Sequence, residues 1–332
     1  MSQQMAVTSP PASQSRRSLA WLWILLAVGA VILVPVIACG AFGFALALGT
    51  TQQGTGSVAL GPSVGLIRVE GPITSSGSSG SFGALATSDS VIDQLHQAAQ
   101  DPNIMAIVLR INSPGGEVVA SDEIHHAITQ IEKPIVVSMG SLAASGGYYI
   151  AAPTDYIYAT PNTFTGSIGV ISQFITAQKL LDEIGVEVVV ITAGEGKDFG
   201  SFHRDMTDEE QVYWQSMVDQ TYANFVDVVA QGRGLTVDQV QQFADGRVII
   251  GTEALELGLV DEIGYLDDAI RKAGELGGIQ GEPRVHEYVH QPGLLELLYG
   301  ISTRSDTYAS LGRILADISG PRLEYRYIGP AY

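Results

Sequence analysis

Short continuous apolar runs alternate with segments of helical periodicity along most of the chain. Ile104–Ile111 (IMAIVLRI) and Val186–Thr192 (VEVVVIT) are runs of the first kind, and Asp208–Gln231 is the longest segment of the second. Apolar strands without in/out alternation are typical of a sheet that is covered on both faces. A strand–helix–strand order is typical of parallel sheets. We therefore predict one α/β domain over residues 64–283 and a less regular C-terminal tail over residues 284–332.

The same patterns predict the remaining elements of this domain. Thr207 precedes the longest helix and is followed three residues later by Glu210, which together form a capping-box pattern. We predict further strands at Val64–Glu70, Pro134–Met139 and Ile157–Ala159, and helices at Val91–Gln100, Val118–Ile131, Gly146–Ala152, Ala177–Ile184, Val237–Phe243, Glu253–Leu259 and Leu266–Glu275.

The longest apolar stretch of the chain lies near its N-terminus. Leu19–Leu48 contains no charged side chain over 30 residues, and a helix that spans a bilayer needs roughly 20 apolar residues. Arg16 and Arg17 precede the stretch, and the next basic residue is Arg68. The positive-inside rule then predicts a cytoplasmic segment 1–18, one transmembrane helix over 19–48, a polar linker over 49–63 and a catalytic domain on the extracytoplasmic side of the cell membrane.

Two other interpretations of the apolar stretch stay open. Ala45-Leu46-Ala47 resembles a signal-peptide cleavage site, and Val36-Ile37-Ala38-Cys39 loosely resembles a lipidation box. Cys39 is the only cysteine of the chain, so the remainder contains no disulfide, thiol nucleophile or cysteine metal site. We predict neither a metal nor a cofactor.

The charge of the chain argues against nucleic acid as a partner. The net charge is −18, and beyond residue 49 the chain carries 15 basic and 35 acidic side chains, a net charge of −20. Such an acidic surface repels a phosphate backbone.

Two glycine-rich loops follow predicted strands and contain the candidate catalytic residues. The first is Asn112-Ser113-Pro114-Gly115-Gly116, and the second runs from Gly140 through Ser145 to Gly147. Functional groups cluster at the carboxyl ends of strands in α/β sheets, and glycines leave backbone N–H groups accessible to an oxyanion. Ser145 is a candidate nucleophile, Ser141 is a competing serine, and a simple helix cap is the alternative role of Ser145.

A serine nucleophile needs a base, and the sequence offers two candidates. Lys197 follows a predicted strand in the loop Gly194-Glu195-Gly196-Lys197-Asp198, and His203 lies shortly after it. A lysine acts as a base only in its neutral form, which burial favours, and serine–lysine pairs are known variants of the serine–base arrangement. A solvated ammonium group that pairs with Asp198 or Glu195 is the alternative role of Lys197.

Several motifs in order resemble the short bacterial form of the signal peptide peptidase A family, membrane-anchored serine proteases. The resemblance covers about Leu66 to Ala273 and rests on these segments: NSPGG (112–116), SMGSLAASGGYYIA (138–151), ATPNTFTGSIGV (159–170), GEGKD (194–198), MTDEEQ (206–211) and ADGRVIIGTEALELGLVDEIG (244–264). It implies a crotonase/ClpP-like α/β spiral fold and homo-oligomeric rings in which the serine and the lysine can come from adjacent protomers.

The resemblance also implies a role for each candidate residue. Ser145 matches the nucleophile, Lys197 the general base, and Gly116 and Gly146 the donors of the oxyanion hole. Ser167, in the TGS motif, matches a residue that orients the lysine amine. The implied activity is hydrolysis of remnant signal peptides and other apolar peptides at the membrane. An acyl-CoA enzyme of crotonase type, a non-catalytic membrane scaffold and a Ser–His enzyme that uses His203 are the alternatives.

Overall fold

The computed structural model describes residues 61–75, 85–289 and 323–329. The predicted cytoplasmic segment, transmembrane helix and most of the linker lie outside these residues. Over the three described ranges, no helix combines the length and the apolar character that crossing a bilayer requires.

The described residues form a mixed α/β fold, and its strands are mostly short. Twelve strands are present in these residues: β1 (Ser63–Glu70), β2 (Ile73–Thr74), β3 (Ala86–Thr87), β4 (Ile104–Ser113), β5 (Gly115–Glu117), β6 (Ile135–Ala144), β7 (Tyr156–Ala159), β8 (Phe164–Gly166), β9 (Val248–Ile250), β10 (Glu262–Ile263), β11 (Arg284–Tyr288) and β12 (Glu324–Arg326).

The helices follow the predicted positions closely. In the described residues they are α1 (Ser88–Gln100), α2 (Val118–Thr129), α3 (Gly146–Ala151), α4 (Gln178–Ile184), α5 (Asp208–Arg233), α6 (Val237–Gln241), α7 (Gly251–Glu256) and α8 (Leu266–Leu276). The predicted capping box at the start of α5 is confirmed. The Thr207 hydroxyl accepts from the Glu210 N–H, and the Glu210 carboxylate accepts from the Thr207 N–H.

The large sheet is parallel along its main path, as the sequence pattern predicts. Its strand order is β10-β7-β6-β4-β1-β11, and β8 pairs parallel with the end of β6 and antiparallel with β9. Apolar side chains of β1, β4 and β6 are buried on both faces of the sheet, since α1, α2 and α3 pack on one side and α8 packs on the other. β11 comes from the predicted C-terminal tail and forms one edge of this sheet.

A second, small sheet lies at the carboxyl ends of the main strands. Its order is β12-β5-β2-β3, in which β5 is the continuation of the loop that leaves β4. β12 comes from the far end of the chain and pairs antiparallel with β5. The glycine-rich segment at Gly115–Glu117 is therefore a strand between two others, whereas the sequence predicts a loop there.

The predicted strand at Val186–Thr192 is wrong, because the structure has no strand over these residues. This apolar segment lies on the surface, with Val189 exposed by 76% and Ile191 by 94%. α4, which precedes it, has no buried residue. A strand needs a partner for its backbone N–H and C=O groups, and the described part of the single chain offers none here.

Candidate active site

Ser145 lies where β6 ends and the short helix α3 begins. Its backbone N–H donates to the carbonyl of Gly166 at 2.8 Å, and its carbonyl accepts from the N–H groups of Tyr148 and Tyr149. The residue is 1% exposed, and its side chain makes no capping hydrogen bond to the helix. Ser145 thus occupies the N-cap position of α3, but its hydroxyl does not cap the helix.

Ser145 and Ser167 share an unusual backbone conformation. They are the two non-glycine residues with positive φ in the described chain, at 54° and 50°. The parallel register of β6 and β8 pairs Ala144 with Gly166, so each serine stands one residue beyond a paired position and the two are neighbours. Backbone strain of this kind costs about 1–3 kcal/mol per residue and clusters at functional sites.

Close approach of backbones explains the glycines at positions 115 and 116, in the segment that follows β4. A Cβ on Gly116 would stand 1.9 Å from the carbonyl oxygen of Ile73 in β2. Gly115 has φ of +87°, and a Cβ there would stand 2.4 Å from the backbone nitrogen of Gly146. Gly115, the neighbour of the predicted donor Gly116, therefore lies against Gly146, the other predicted donor. The Gly146 N–H is in the first turn of α3, where helices leave N–H groups without an intrahelical partner.

The C-terminal segment lies in this site as an extended strand. On one side Tyr325 pairs with Gly116 of β5. On the other side Glu324 exchanges two backbone hydrogen bonds with Ile171, at 3.0 and 3.1 Å. The tail thus fills a groove whose two walls both offer backbone groups, which is the manner in which an extended peptide adds to a sheet edge.

The alternation of hydrogen-bonded pairs between β12 and β5 determines whether the Tyr325 carbonyl points towards β5. Val118 donates to the Leu323 carbonyl at 3.4 Å, and Tyr327 donates to the Pro114 carbonyl at 2.8 Å. Hydrogen-bonded pairs alternate every second residue in an antiparallel ladder. Gly116 and Tyr325, halfway between these pairs, therefore form a hydrogen-bonded pair in which the Gly116 N–H donates to the Tyr325 carbonyl.

The same carbonyl oxygen also lies next to Gly146. It would be 2.1 Å from a Cβ on Gly115 and 3.1 Å from a Cβ on Gly146. The Tyr325 carbonyl therefore lies among the predicted oxyanion donors, next to Ser145. This carbonyl belongs to the peptide bond between Tyr325 and Arg326.

An aromatic pocket receives the Tyr325 side chain. The ring is stacked on Tyr149 at a centroid distance of 5.0 Å and is tilted against Phe225 of α5 at 4.7 Å. Its hydroxyl donates to the Thr221 carbonyl at 3.0 Å. The side chain is 1% exposed, and this burial raises the pKa of the phenol. The pocket therefore takes a neutral aromatic group with a hydroxyl.

The groove continues past Ser167 as a cavity of about 560 Å³. Its walls come from residues 167–171, from α5 and from residues 244–246, and the tail residues after Tyr325 run along it. The groove thus continues along the tail residues that follow the Tyr325–Arg326 bond.

Lys197 lies away from these groups in the single chain. It occupies an exposed, turn-rich segment, and its backbone N–H donates to the Gly194 carbonyl at 3.2 Å. Among the described residues its amine forms no ion pair, and no hydrogen bond joins it to Ser145 or Ser167. The carboxylate of Asp198, which the sequence offers as its partner, pairs with Arg204 instead at 2.8 Å.

The two competing candidates lie outside the groove. His203 is in a separate cavity of about 410 Å³ beside α4, with Gln178, Asp182 and Glu187 among its neighbours. Ser141 is an exposed residue of β6, four positions before Ser145.

Sequence reasoning did not find Tyr325, Tyr149 and Phe225 as components of the site. The tail sequence shows no periodic pattern, because β12 contains only three residues. Tyr149 belongs to the quoted motif at 138–151, so its place one turn after Ser145 was the available signal.

The family model described as peptidase family S49 matches residues 127–280, and the model described as Clp protease matches residues 84–165. The second match agrees with the α/β fold that the resemblance implies.

Three relatives carry names that describe peptidases. "Putative protease slr0021" of Synechocystis sp. is 40% identical over 216 residues, which cover 64% of this chain and 78% of that protein. "Protease 4" of Salmonella typhi is 38% identical over 220 residues, 65% of this chain and 35% of that protein. "Putative signal peptide peptidase SppA" of Enterococcus faecium is 41% identical over 182 residues, 54% of this chain and 53% of that protein. The chain belongs to peptidase family S49 and is a serine peptidase.

Proposed function

We propose that this chain is a serine endopeptidase in which Ser145 is the nucleophile and Lys197 is the general base. Its substrates are remnant signal peptides and other apolar peptides. It works as a homo-oligomeric ring that is anchored in the cell membrane by residues 19–48, with the catalytic domain on the extracytoplasmic side. The implied roles of Gly116, Gly146 and Ser167 are part of this proposal.

The observation that carries the proposal is the tail strand in the groove. A peptide segment of this chain is paired along its backbone on both sides, and the register of β12 on β5 directs the Tyr325 carbonyl to the Gly116 N–H. A substrate bound in the same register would present its carbonyl carbon to the serine hydroxyl.

The reaction follows from these positions. The Ser145 Oγ attacks the carbonyl carbon while the Lys197 amine takes the hydroxyl proton. The Gly116 and Gly146 N–H groups stabilise the negative oxygen of the tetrahedral intermediate. The peptide C–N bond then breaks, and the lysine gives its proton to the leaving amine. Water attacks the acyl-enzyme by the same proton route, releases the new carboxyl end and restores Ser145.

Lys197 is supplied by a neighbouring copy in this proposal. The exposed apolar segment at Val186–Thr192 precedes its loop and has no strand partner in the single chain. Pairing of this segment with another copy would bury it and carry Lys197 towards a second groove. Enclosure of the amine between copies would also disfavour its charged form. Ser167, the strained neighbour of Ser145, is well placed to receive that amine.

The pocket of Tyr325 defines the residue that the enzyme prefers before the scissile bond. Tyr149 and Phe225 enclose an aromatic ring, so we expect faster cleavage after tyrosine and phenylalanine than after alanine. Tyrosine should exceed phenylalanine because its hydroxyl reaches the Thr221 carbonyl. Apolar signal peptides remain substrates in this scheme, in agreement with the name of the Enterococcus faecium relative.

The other functions have weaker support. Membership of a peptidase family argues against the acyl-CoA enzyme, and the strained, buried Ser145 argues against the non-catalytic scaffold. The Ser–His alternative has little support because His203 lines a different cavity.

Hydrolysis of a fluorogenic peptide and labelling by a fluorophosphonate probe test the proposal. We expect Ser145→Ala to lose both, with an unchanged circular dichroism spectrum, and Lys197→Ala to lose hydrolysis. Ser141→Ala and Lys179→Ala are matched controls, since they remove an exposed serine of the same strand and an exposed lysine of α4, and both should keep activity. Hydrolysis by folded Ser145→Ala protein would refute the proposed nucleophile.

A further inference from the structure

Arg204 uses all of its hydrogen-bond donors beside the loop that carries Lys197. Its Nε and Nη2 donate to the side chain and the backbone carbonyl of Asp198, at 2.8 and 3.3 Å. Its Nη1 and Nη2 donate to the two carboxylate oxygens of Glu210, at 2.8 and 2.5 Å, and Nη1 also donates to the Asp205 carbonyl at 3.0 Å. A guanidinium has five N–H groups, and all five are engaged.

This arrangement joins the loop to the start of the longest helix. Glu210 lies in the first turn of α5 and belongs to its capping box. A second contact runs parallel to the first, because Phe199 packs against Tyr213 and Trp214 of the same helix at centroid distances of 5.8 and 5.5 Å. The loop therefore has an aromatic anchor that does not depend on Arg204.

The arrangement also decides which group neutralises Asp198. Asp198 is the residue next to Lys197, and a carboxylate near an ammonium favours its charged form. The guanidinium holds the pKa of Asp198 and of Glu210 below their usual range, mainly through its hydrogen bonds. Both carboxylates therefore stay ionised and are bound to arginine.

We propose that Arg204 is a positioning residue for catalysis, which holds the Asp198 carboxylate away from Lys197 so that the lysine amine can act as a base. The guanidinium removes the nearest counter-ion of the amine and fixes the direction of the loop at the residue after Lys197. This inference rests on the proposed role of Lys197 as the base.

Other charged groups border the same loop. Glu195 lies within the loop, His203 adjoins Arg204 and interacts electrostatically with Asp198, and Asp205 follows Arg204. Glu210 faces the loop from α5. Glu195, His203 and Asp205 are unchanged in the variants below, so their contributions to the pH profile cancel in the comparison.

The pH profile of kcat/KM for a fluorogenic peptide tests the proposal in the full-length oligomer. In Arg204→Gln the Asp198 carboxylate is released towards Lys197 and favours the charged form of its amine. The acidic limb of the kcat/KM profile should therefore move to higher pH by about one unit. At a pH on that limb, kcat/KM should fall about tenfold. In the double variant Arg204→Gln/Asp198→Asn the limb should return close to that of the wild type. Asp198→Asn alone should not move the limb to higher pH.

Arg271→Gln is the matched control, because it removes an exposed arginine that pairs with Asp268 on α8. Its profile should equal that of the wild type. If Arg204→Gln does not fold, Arg204→Lys takes its place, since lysine keeps the charge but loses the planar fork. We expect a smaller shift of the same sign.

Two results would overturn the inference. One is a loss of activity in Arg204→Gln or Arg204→Lys with an unmoved acidic limb, which a purely structural role gives. The other is a shifted limb that Asp198→Asn does not restore. Full activity of Lys197→Ala would instead overturn the proposed base itself, so the two failures are distinguishable.

Discussion

Replacement of Tyr325 tests whether the tail competes with substrate for the groove. The side chain is buried between Tyr149 and Phe225, and removal of a buried aromatic side chain costs about 3–5 kcal/mol. The tail keeps its backbone hydrogen bonds in Tyr325→Ala, so we take the lower end, about 3 kcal/mol. This loss weakens docking of the tail roughly 100-fold.

The expected kinetic effect is a fall in KM. A tethered segment that occupies the site competes with external peptide, so it raises KM and leaves kcat unchanged. Tyr325→Ala should therefore lower KM for a fluorogenic peptide at unchanged kcat, up to the limit at which the tail no longer binds. Tyr325→Phe should lower KM less, since it loses only the hydrogen bond to Thr221, about 1 kcal/mol.

Ile328→Ala is the control, because this tail residue is 55% exposed and its loss should change little. Thermal unfolding of each variant separates release of the tail from damage to the core. An unchanged KM in folded Tyr325→Ala protein would refute the competition, and so would a fall in kcat alone.

Two further predictions concern the same groove. In the proposed register the Tyr325–Arg326 bond faces Ser145, so mass spectrometry should find a fraction of the active protein ending at Tyr325 and the Ser145→Ala protein with an intact terminus; equal termini in both would contradict this. Gly116→Ala should lower the unfolding temperature by several degrees and abolish peptide hydrolysis, because the added Cβ would stand 1.9 Å from the Ile73 carbonyl oxygen; an unchanged unfolding temperature would show that the two strands separate readily.

Strong local patterns made much of the fold predictable from the sequence. The strand at Ile104–Ser113 and the helix at Asp208–Arg233 agree with their apolar patterns and, for the helix, with its capping box. The two glycine-rich loops after β4 and β6 meet at one edge of the sheet, as parallel strand order requires. Local sequence and parallel order thus indicate the region of the site, whereas the roles of Ser145, Gly146 and Gly116 are implied by the family resemblance and stay predictions.

Long-range pairing explains what the sequence did not reveal. β12 has three residues and pairs with a strand more than 200 positions earlier, and no local pattern records such a partner. The apolar run at Val186–Thr192 has the composition of a buried strand, yet burial depends on a partner that the described part of the single chain does not contain. The composition of a segment indicates that it tends to be buried, but it does not indicate which other segment packs against it.

Mixing two inactive variants tests the central claim most directly, that Ser145 of one copy works with Lys197 of another. Ser145→Ala and Lys197→Ala chains are combined under conditions in which differently tagged subunits exchange, and hydrolysis of a fluorogenic peptide is measured. Mixed oligomers then contain some grooves with both an intact serine and an intact lysine, so we predict that activity returns. Exchanged oligomers that remain as inactive as each variant alone would contradict the shared site.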